Sequence, residues 1–189
     1  SRLKLEGLYF QGAKNTDTVE AYKNFLKLYP EGMHAKEARA RLELLNFLKV
    51  ERTNTIEAYE SFLKLYPEGT LANKARAKLE LLEFQKAEKI NSILSYEYFL
   101  SRYSKGELAD RTRVRLEALY FQRAKDTNTI ESYEYFLELY PKGAHADEAL
   151  RCLQSLNVQI KAIEEATKRA LPKEARVEVT SVSRFPQKP

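Results

Sequence analysis

Apolar positions along this chain follow helical spacing in two alternating lengths. The shorter pattern reads Thr-Ile-Glu-Ala-Tyr-Glu-Ser-Phe-Leu-Lys-Leu-Tyr over 55–66, with apolar side chains at 56, 59, 62, 63 and 66. That places them on one stripe of a helix with 3.6 residues per turn. The longer pattern, over about 34–51, puts 35, 38, 42, 45 and 48 on one face. Leu44, Leu81 and Ala118, with Phe47, Phe84 and Phe121 beside them, widen that face in successive occurrences. A stripe so wide predicts contact with two neighbours.

The pattern recurs at a constant interval of 37: Tyr22, Tyr59, Tyr96 and Tyr133, then Phe25, Phe62, Phe99 and Phe136, then Gly32, Gly69, Gly106 and Gly143. An Asx series, Asp17, Asn54, Asn91 and Asn128, marks the start of each short helix. Glu20, Glu57 and Glu131 follow three residues later, which predicts reciprocal capping, with Leu94 breaking the box in the third copy. Pro30, Pro67 and Pro141 stop the short helices, Ser104 replacing proline in the third, and glycine two residues on lets the chain turn. A lone hairpin cannot bury both of its apolar faces, so neighbours must stack.

The predicted fold is an all-α, right-handed α-solenoid of 37-residue helix-turn-helix repeats over residues 1–171. A half repeat occupies 1–14 and four repeats occupy about 15–51, 52–88, 89–125 and 126–171. Glu6-Gly7-Leu8-Tyr9-Phe10-Gln11-Gly12 looks like a protease-tag remnant, but Leu119-Tyr120-Phe121-Gln122 stands three periods downstream, so it reads as native sequence. With Ser1 in place of Met, the expectation is a fragment or processed form of something longer. In the last copy, Lys161, Glu164, Glu165, Lys168 and Arg169 suit a polar cap on the array. The β-branched run at 176–184 predicts an extended strand, so 172–189 is either a tail or the start of a β-containing domain.

Composition narrows the function. The net charge is +5, but Lys and Arg alternate with Glu, the pattern of solvated helix faces rather than of a nucleic-acid footprint. The single cysteine, Cys152, excludes an intramolecular disulfide, which suits a reducing compartment and equally an envelope protein without disulfides. No run approaches the roughly 18 apolar residues of a membrane span.

The string Tyr-Pro-x-Gly-x-x-Ala-x-x-Ala-x-x-x-Leu, at 29–42, 66–79 and 140–153, resembles tetratricopeptide repeats. The nearest subclass is that of bacterial envelope proteins such as the Tol–Pal coordination protein and outer-membrane assembly lipoproteins. The resemblance covers roughly 1–165 and implies a protein-interaction solenoid with the longer helices lining its concave surface. It leaves the compartment open between a bacterial periplasm or envelope and the cytoplasm. Glu43, Glu80 and Glu117 stand where that family has glycine, and Thr55 and Phe62 where it has small residues, which implies looser or shifted helix packing.

No catalytic, cofactor or metal site is expected. His34 and His145 fall three periods apart and read as turn residues, and Cys152 has no base nearby on its helix. Phosphate loops, HExxH and CxxC are missing from the sequence. Arg39–Glu43, Arg76–Glu80 and Arg113–Glu117 are spaced as i,i+4 pairs. On the concave face the candidate partner-binding residues are Gln11, Gln85 and Gln122, whose amides suit a peptide backbone, and Phe47, Phe84 and Phe121, whose rings suit its side chains. Lys74 and Arg111, with Arg76 and Arg113, form a candidate basic strip. Tyr98 and Tyr135 form a candidate convex patch where earlier copies have Asn24 and Ser61.

The leading expectation is a non-enzymatic scaffold that binds a protein or peptide partner, or a domain of its own parent chain. Similar repeats also occur beside bacterial caspase-like peptidases and cell-wall amidases. The alternatives are nucleic-acid binding through the basic strip and self-association through solenoid ends.

Overall fold

The computed structural model describes residues 2–170, all helices and turns. The expected strand at 176–184 lies outside the described residues. Nine helices are present among them: α1 (Arg2–Thr16), α2 (Val19–Leu28), α3 (Ala35–Thr53), α4 (Ile56–Leu65), α5 (Ala72–Ile90), α6 (Ile93–Arg102), α7 (Glu107–Thr127), α8 (Ile130–Leu139) and α9 (Ala146–Ala170). The chain divides within α7 into two compact units, Ser1–Thr112 and Arg113–Pro189.

In the first unit consecutive helices pack against each other from α1 through α6. Phe10 and Ala13 of α1, Tyr22 and Phe25 of α2 and Ala38 of α3 make one core cluster. Phe47, Tyr59, Phe62, Ala75 and Leu79 make the next. Alanine at 38 and 75, fully buried, lets the long helices approach the aromatic rings closely. In the second unit Phe121, Ala124, Tyr133, Phe136 and Ala149 repeat the arrangement, with Leu153 and Leu156 of α9 packed over them. Burial pushes the Tyr133 phenol up, and the neighbouring Cys152 thiol adds to the shift. Beyond Leu156, the turns of α9 to Ala170 are exposed on every side, Val158, Ile160 and Ile163 among their charges.

The caps differ from those expected. Each short helix is capped by the residue after the Asx position: Thr18, Thr55, Ser92 and Thr129 accept from the backbone N–H three residues on. The glutamates take no part. The reciprocal box forms instead in the two copies with serine at the third helical position, Ser92 with Ser95 and Thr129 with Ser132. Leu94 breaks nothing. Asp17, Asn54, Asn91 and Asn128 sit in the left-handed region at φ 48–50°. There they end the preceding long helix, a conformation Asn and Asp adopt more cheaply than other side chains. Asn91 and Asn128 also accept from the Tyr96 and Tyr133 hydroxyls, at 3.1 and 3.4 Å.

Two of the glutamates standing in the place of glycine, Glu43 and Glu117, bond across to a neighbouring turn. Glu43, on α3, reaches the turn before α5, where its Oε1 accepts from Leu71 N at 2.8 Å and its Oε2 from Thr70 Oγ1 at 3.2 Å. Glu6 receives His34 N, and Glu117 receives His145 N, both at 3.0 Å. These hooks also explain the turn glycines. A Cβ on Gly32, Gly69 or Gly143 would lie 2.3–2.5 Å from the glutamate oxygen, although none of the three needs a positive φ. Gly106, at φ +96°, is different: open space surrounds its Cβ position. The expected Arg39–Glu43 and Arg76–Glu80 pairs give way to other partners. Arg39 bonds Pro30 O and Glu31, and Arg76 bonds Pro67 O and pairs with Glu68.

Candidate interaction surface

The residues predicted to grip a partner separate into two groups. Phe47, Phe84 and Phe121 are buried, at 1%, 2% and 4% exposure, so their rings belong to the core and cannot receive a ligand side chain. Gln11, Gln85 and Gln122 are exposed. Gln11 donates to Asn15 at 2.9 Å and Gln122 to Asp126 at 2.7 Å, along their own helices.

Lys74 and Arg111 do not form a free basic strip. Lys74 pairs with Glu51 at 2.9 Å with its ammonium 4.8 Å from the Phe47 ring centre, and Arg111 pairs with Glu88 at 3.4 Å, 4.7 Å from that of Phe84. The same bond recurs with its sign reversed, from Lys14 to Glu37 at 3.2 Å and from Lys125 to Glu148 at 3.3 Å, the lysines lying over Phe10 and Phe121. The residues of each pair stand 23 apart on successive long helices, and whichever of the two is basic covers the ring. Their charges are satisfied internally.

His34 and His145 are turn residues, as expected, and each has a structural task. His34 stacks on Phe10 at 4.5 Å; His145 stacks on Phe121 at 4.8 Å and sets Nδ1 3.2 Å from Glu117. Among the described residues no group of three or more His, Cys, Asp and Glu is placed to hold a metal ion. No described helix is long and apolar enough to cross a membrane.

The structure brings other residues together instead. A cleft of about 510 Å³ opens between α4, α5 and α6, lined by Glu57 and Glu60, by Glu83 and Ile90, and by Leu94, Tyr98 and Arg102, among others. Arg102 reaches across it, bonding Glu83 through Nη1 and Glu60 through Nη2, the latter at 3.4 Å. Its guanidinium lies 6.0 Å from the Tyr98 ring centre and 5.7 Å from that of Tyr103. The Glu83 side chain is only 6% exposed, and its second oxygen, Oε2, is closed off from solvent. Burial first, then the charge of Glu83 and a hydrogen bond to its carboxylate, push the Tyr103 phenol up to about 12.

Glu60, Glu83 and Arg102 were not anticipated. For Glu83 and Arg102 the signal was departure from the period, the corresponding residues one interval earlier being Asn46 and Leu65; Glu60 keeps its column with Glu97 and Glu134. Asn46 there donates to the Tyr66 hydroxyl at 2.9 Å, a neutral bond where Glu83 brings a charge. The Tyr98–Tyr135 patch also resolves into separate settings. Tyr98 forms a wall of the cleft, while Tyr135 packs beside Tyr120 with ring centres 6.2 Å apart.

No protein-family model matches the chain, and no curated protein matches its sequence.

Proposed function

We propose that this chain is a non-enzymatic interaction scaffold, a right-handed α-solenoid of 37-residue tetratricopeptide-like hairpins that binds a protein or peptide partner. Support for the solenoid reading comes from the short helices, which begin at Val19, Ile56, Ile93 and Ile130, a constant step that matches the sequence columns. A module of this class cannot hide its apolar faces alone, and stacking leaves an extended surface for a partner.

One observation carries the binding reading. The four ring-covering pairs engage Lys14, Lys74, Arg111 and Lys125 within the framework, while large apolar groups that it does not require stay exposed around one cleft: Ile90, Leu94 and Tyr98. One interval earlier the same positions are Thr53, Glu57 and Ser61, all polar, so the hairpin itself does not demand an apolar residue there. Such a patch, rimmed by charge, is characteristic of recognition surfaces. The nucleic-acid alternative loses support because Lys74 and Arg111 are engaged internally.

The test is affinity capture from native extract on the immobilised chain. Recovery of a partner at near-stoichiometric yield that survives moderate salt supports the scaffold. Recovery of nucleic acid alone, released as salt rises, or of no stoichiometric component, refutes it.

A further inference from the structure

We propose that the turn between α6 and α7 is a two-state latch. One state is the open arrangement of the structure; in the other, Glu80 takes the backbone N–H of Leu108 and α7 starts at Ala109. The inference concerns the framework itself and goes beyond the scaffold reading.

The parts of the latch are all present. In the other three turns, a glutamate of the preceding long helix accepts the N–H two residues after the turn glycine: Glu6 from His34, Glu43 from Leu71 and Glu117 from His145. The next long helix then starts one residue on, at Ala35, Ala72 or Ala146. Glu80, Gly106, Leu108 and Ala109 stand one interval after Glu43, Gly69, Leu71 and Ala72. Yet α7 starts two residues early, at Glu107, and Glu80 stays away from the turn: no atom lies within 4 Å of the Gly106 Cβ position, where Gly69 has Glu43 Oε1 at 2.3 Å.

The groups that would join are free to do so. Leu108 is second in α7, and the first four N–H groups of a helix have no partner within it. Glu80 is half-buried at the edge of a cavity of about 410 Å³, lined also by Asn73, Arg76, Ala77, Leu79 and Tyr103. That cavity gives the turn room to settle on α5. The two arrangements differ at Gly106, whose φ is +96°, whereas the other three turn glycines have no positive φ. Glycine takes either sign of φ at similar cost, so the backbone passes from one to the other without a steric penalty.

The bias between them lies at one residue. Proline follows the tyrosine in each latched turn, and Ser104 follows it here. Proline fixes φ and keeps its neighbourhood out of the helix. Tyr103, at φ −127° and ψ 83°, is close to Tyr66 at −131° and 61°, so the backbone already suits a following proline. Latching gains a hydrogen bond to a carboxylate and two backbone bonds, those from Gly69 N to Tyr66 O and from Ala72 N to Gly69 O in the second turn. Opening gains two helical residues, with Gly106 O accepting from Asp110 N at 3.1 Å. These opposing terms leave the latched form as a minor state of about 0.1–10%.

Amide relaxation dispersion and hydrogen exchange on the whole chain test the latch. The wild type is expected to show millisecond broadening at 104–109 and none at 67–72. Glu80→Ala should abolish it, because the latched state is lost. Ser104→Pro, which copies the other three turns, should also abolish it by filling that state, and should slow exchange of the Leu108 amide about tenfold or more. Adding Glu80→Ala to Ser104→Pro should return Leu108 to the wild-type rate. Absence of broadening in the wild type, its persistence in Glu80→Ala, or Leu108 protection in Ser104→Pro that survives Glu80→Ala each overturns the proposal. The first two results need no proline variant. None involves a partner, so their failure leaves the scaffold reading standing, and failure of the wild type to capture a partner leaves the latch standing.

Discussion

Replacing Glu43 by alanine is expected to destabilise the protein far more than the same change at Glu80, although both occupy one column of the sequence. Glu43 is 7% exposed and accepts two hydrogen bonds from the turn before α5. Its removal leaves the Leu71 N–H without its acceptor and empties the space against Gly69. Hydrogen bonds to a charged group contribute about 1.5–3 kcal/mol, and an orphaned donor costs about 1–3 kcal/mol, so a loss of roughly 2–3 kcal/mol follows once the two overlapping terms are counted together. Glu80 faces a different turn. Ser104 replaces proline there, and no atom lies within 4 Å of the Gly106 Cβ position, so Glu80→Ala is expected to change stability by less than about 0.5 kcal/mol. Urea unfolding of the two variants beside the wild type measures both. A sharper test uses Gly69. Its φ is not positive, and an added Cβ would meet Glu43 Oε1 at 2.3 Å, so Gly69→Ala should destabilise the wild type. In the Glu43→Ala background the obstacle is gone and alanine restricts only the unfolded chain, so the same substitution should be neutral or stabilising by up to about 1 kcal/mol. Equal losses at Glu43 and Glu80, or an additive double variant, would refute the hook.

Two further outcomes follow from the long helices, and the two tests above complete the set. Lys74→Glu should lose about 0.5–1 kcal/mol through its contacts with Glu51 and Phe47, and adding Glu51→Lys should restore most of it, because the swapped pair then matches Lys14–Glu37; no recovery in urea unfolding would count against the ladder. The Arg41 guanidinium, bonded to both oxygens of Asp17, holds that carboxyl below its ordinary value of 3.8. A carboxyl with a lowered folded pKa stabilises the native state above 3.8 and loses that contribution as pH falls through the folded value. Carbon-detected titration should therefore place Asp17 below 3.8 in the wild type and nearer to it in Arg41→Gln, and a wild-type value at or above 3.8 would contradict the pairing.

The helices were legible because burial imposes a 3.6-residue period, and Tyr59, Phe62 and Leu63 display it within one short segment. The caps were misplaced by one residue for a physical reason. Asn and Asp serve both as N-caps and as left-handed C-caps, and with one helix ending at Thr53 and the next starting at Ile56, Asn54 satisfied either reading. Glu43 was assigned to Arg39 because a sequence shows partners four residues apart but not one in a turn 28 residues on. The same blindness applied to Lys74 and Arg111, whose partners stand 23 residues back. In all three cases the period was the available clue: a charge repeated from copy to copy, or reversed in step with a second column, points to an intramolecular partner, with Glu80 the exception where the turn itself changes. Phe47, Phe84 and Phe121 follow the same logic, since a ring needed in every copy serves the stack. The cleft is the converse case. Glu83 and Arg102 each look like an ordinary surface charge, and only their joint departure from Asn46 and Leu65 distinguishes them. In a chain whose columns encode packing, specificity is to be sought where one copy breaks several columns at once. The cleft of α4, α5 and α6 does so at Glu83, Ile90, Leu94 and Arg102, which stand against Asn46, Thr53, Glu57 and Leu65 one interval earlier and Tyr120, Thr127, Glu131 and Leu139 one interval later.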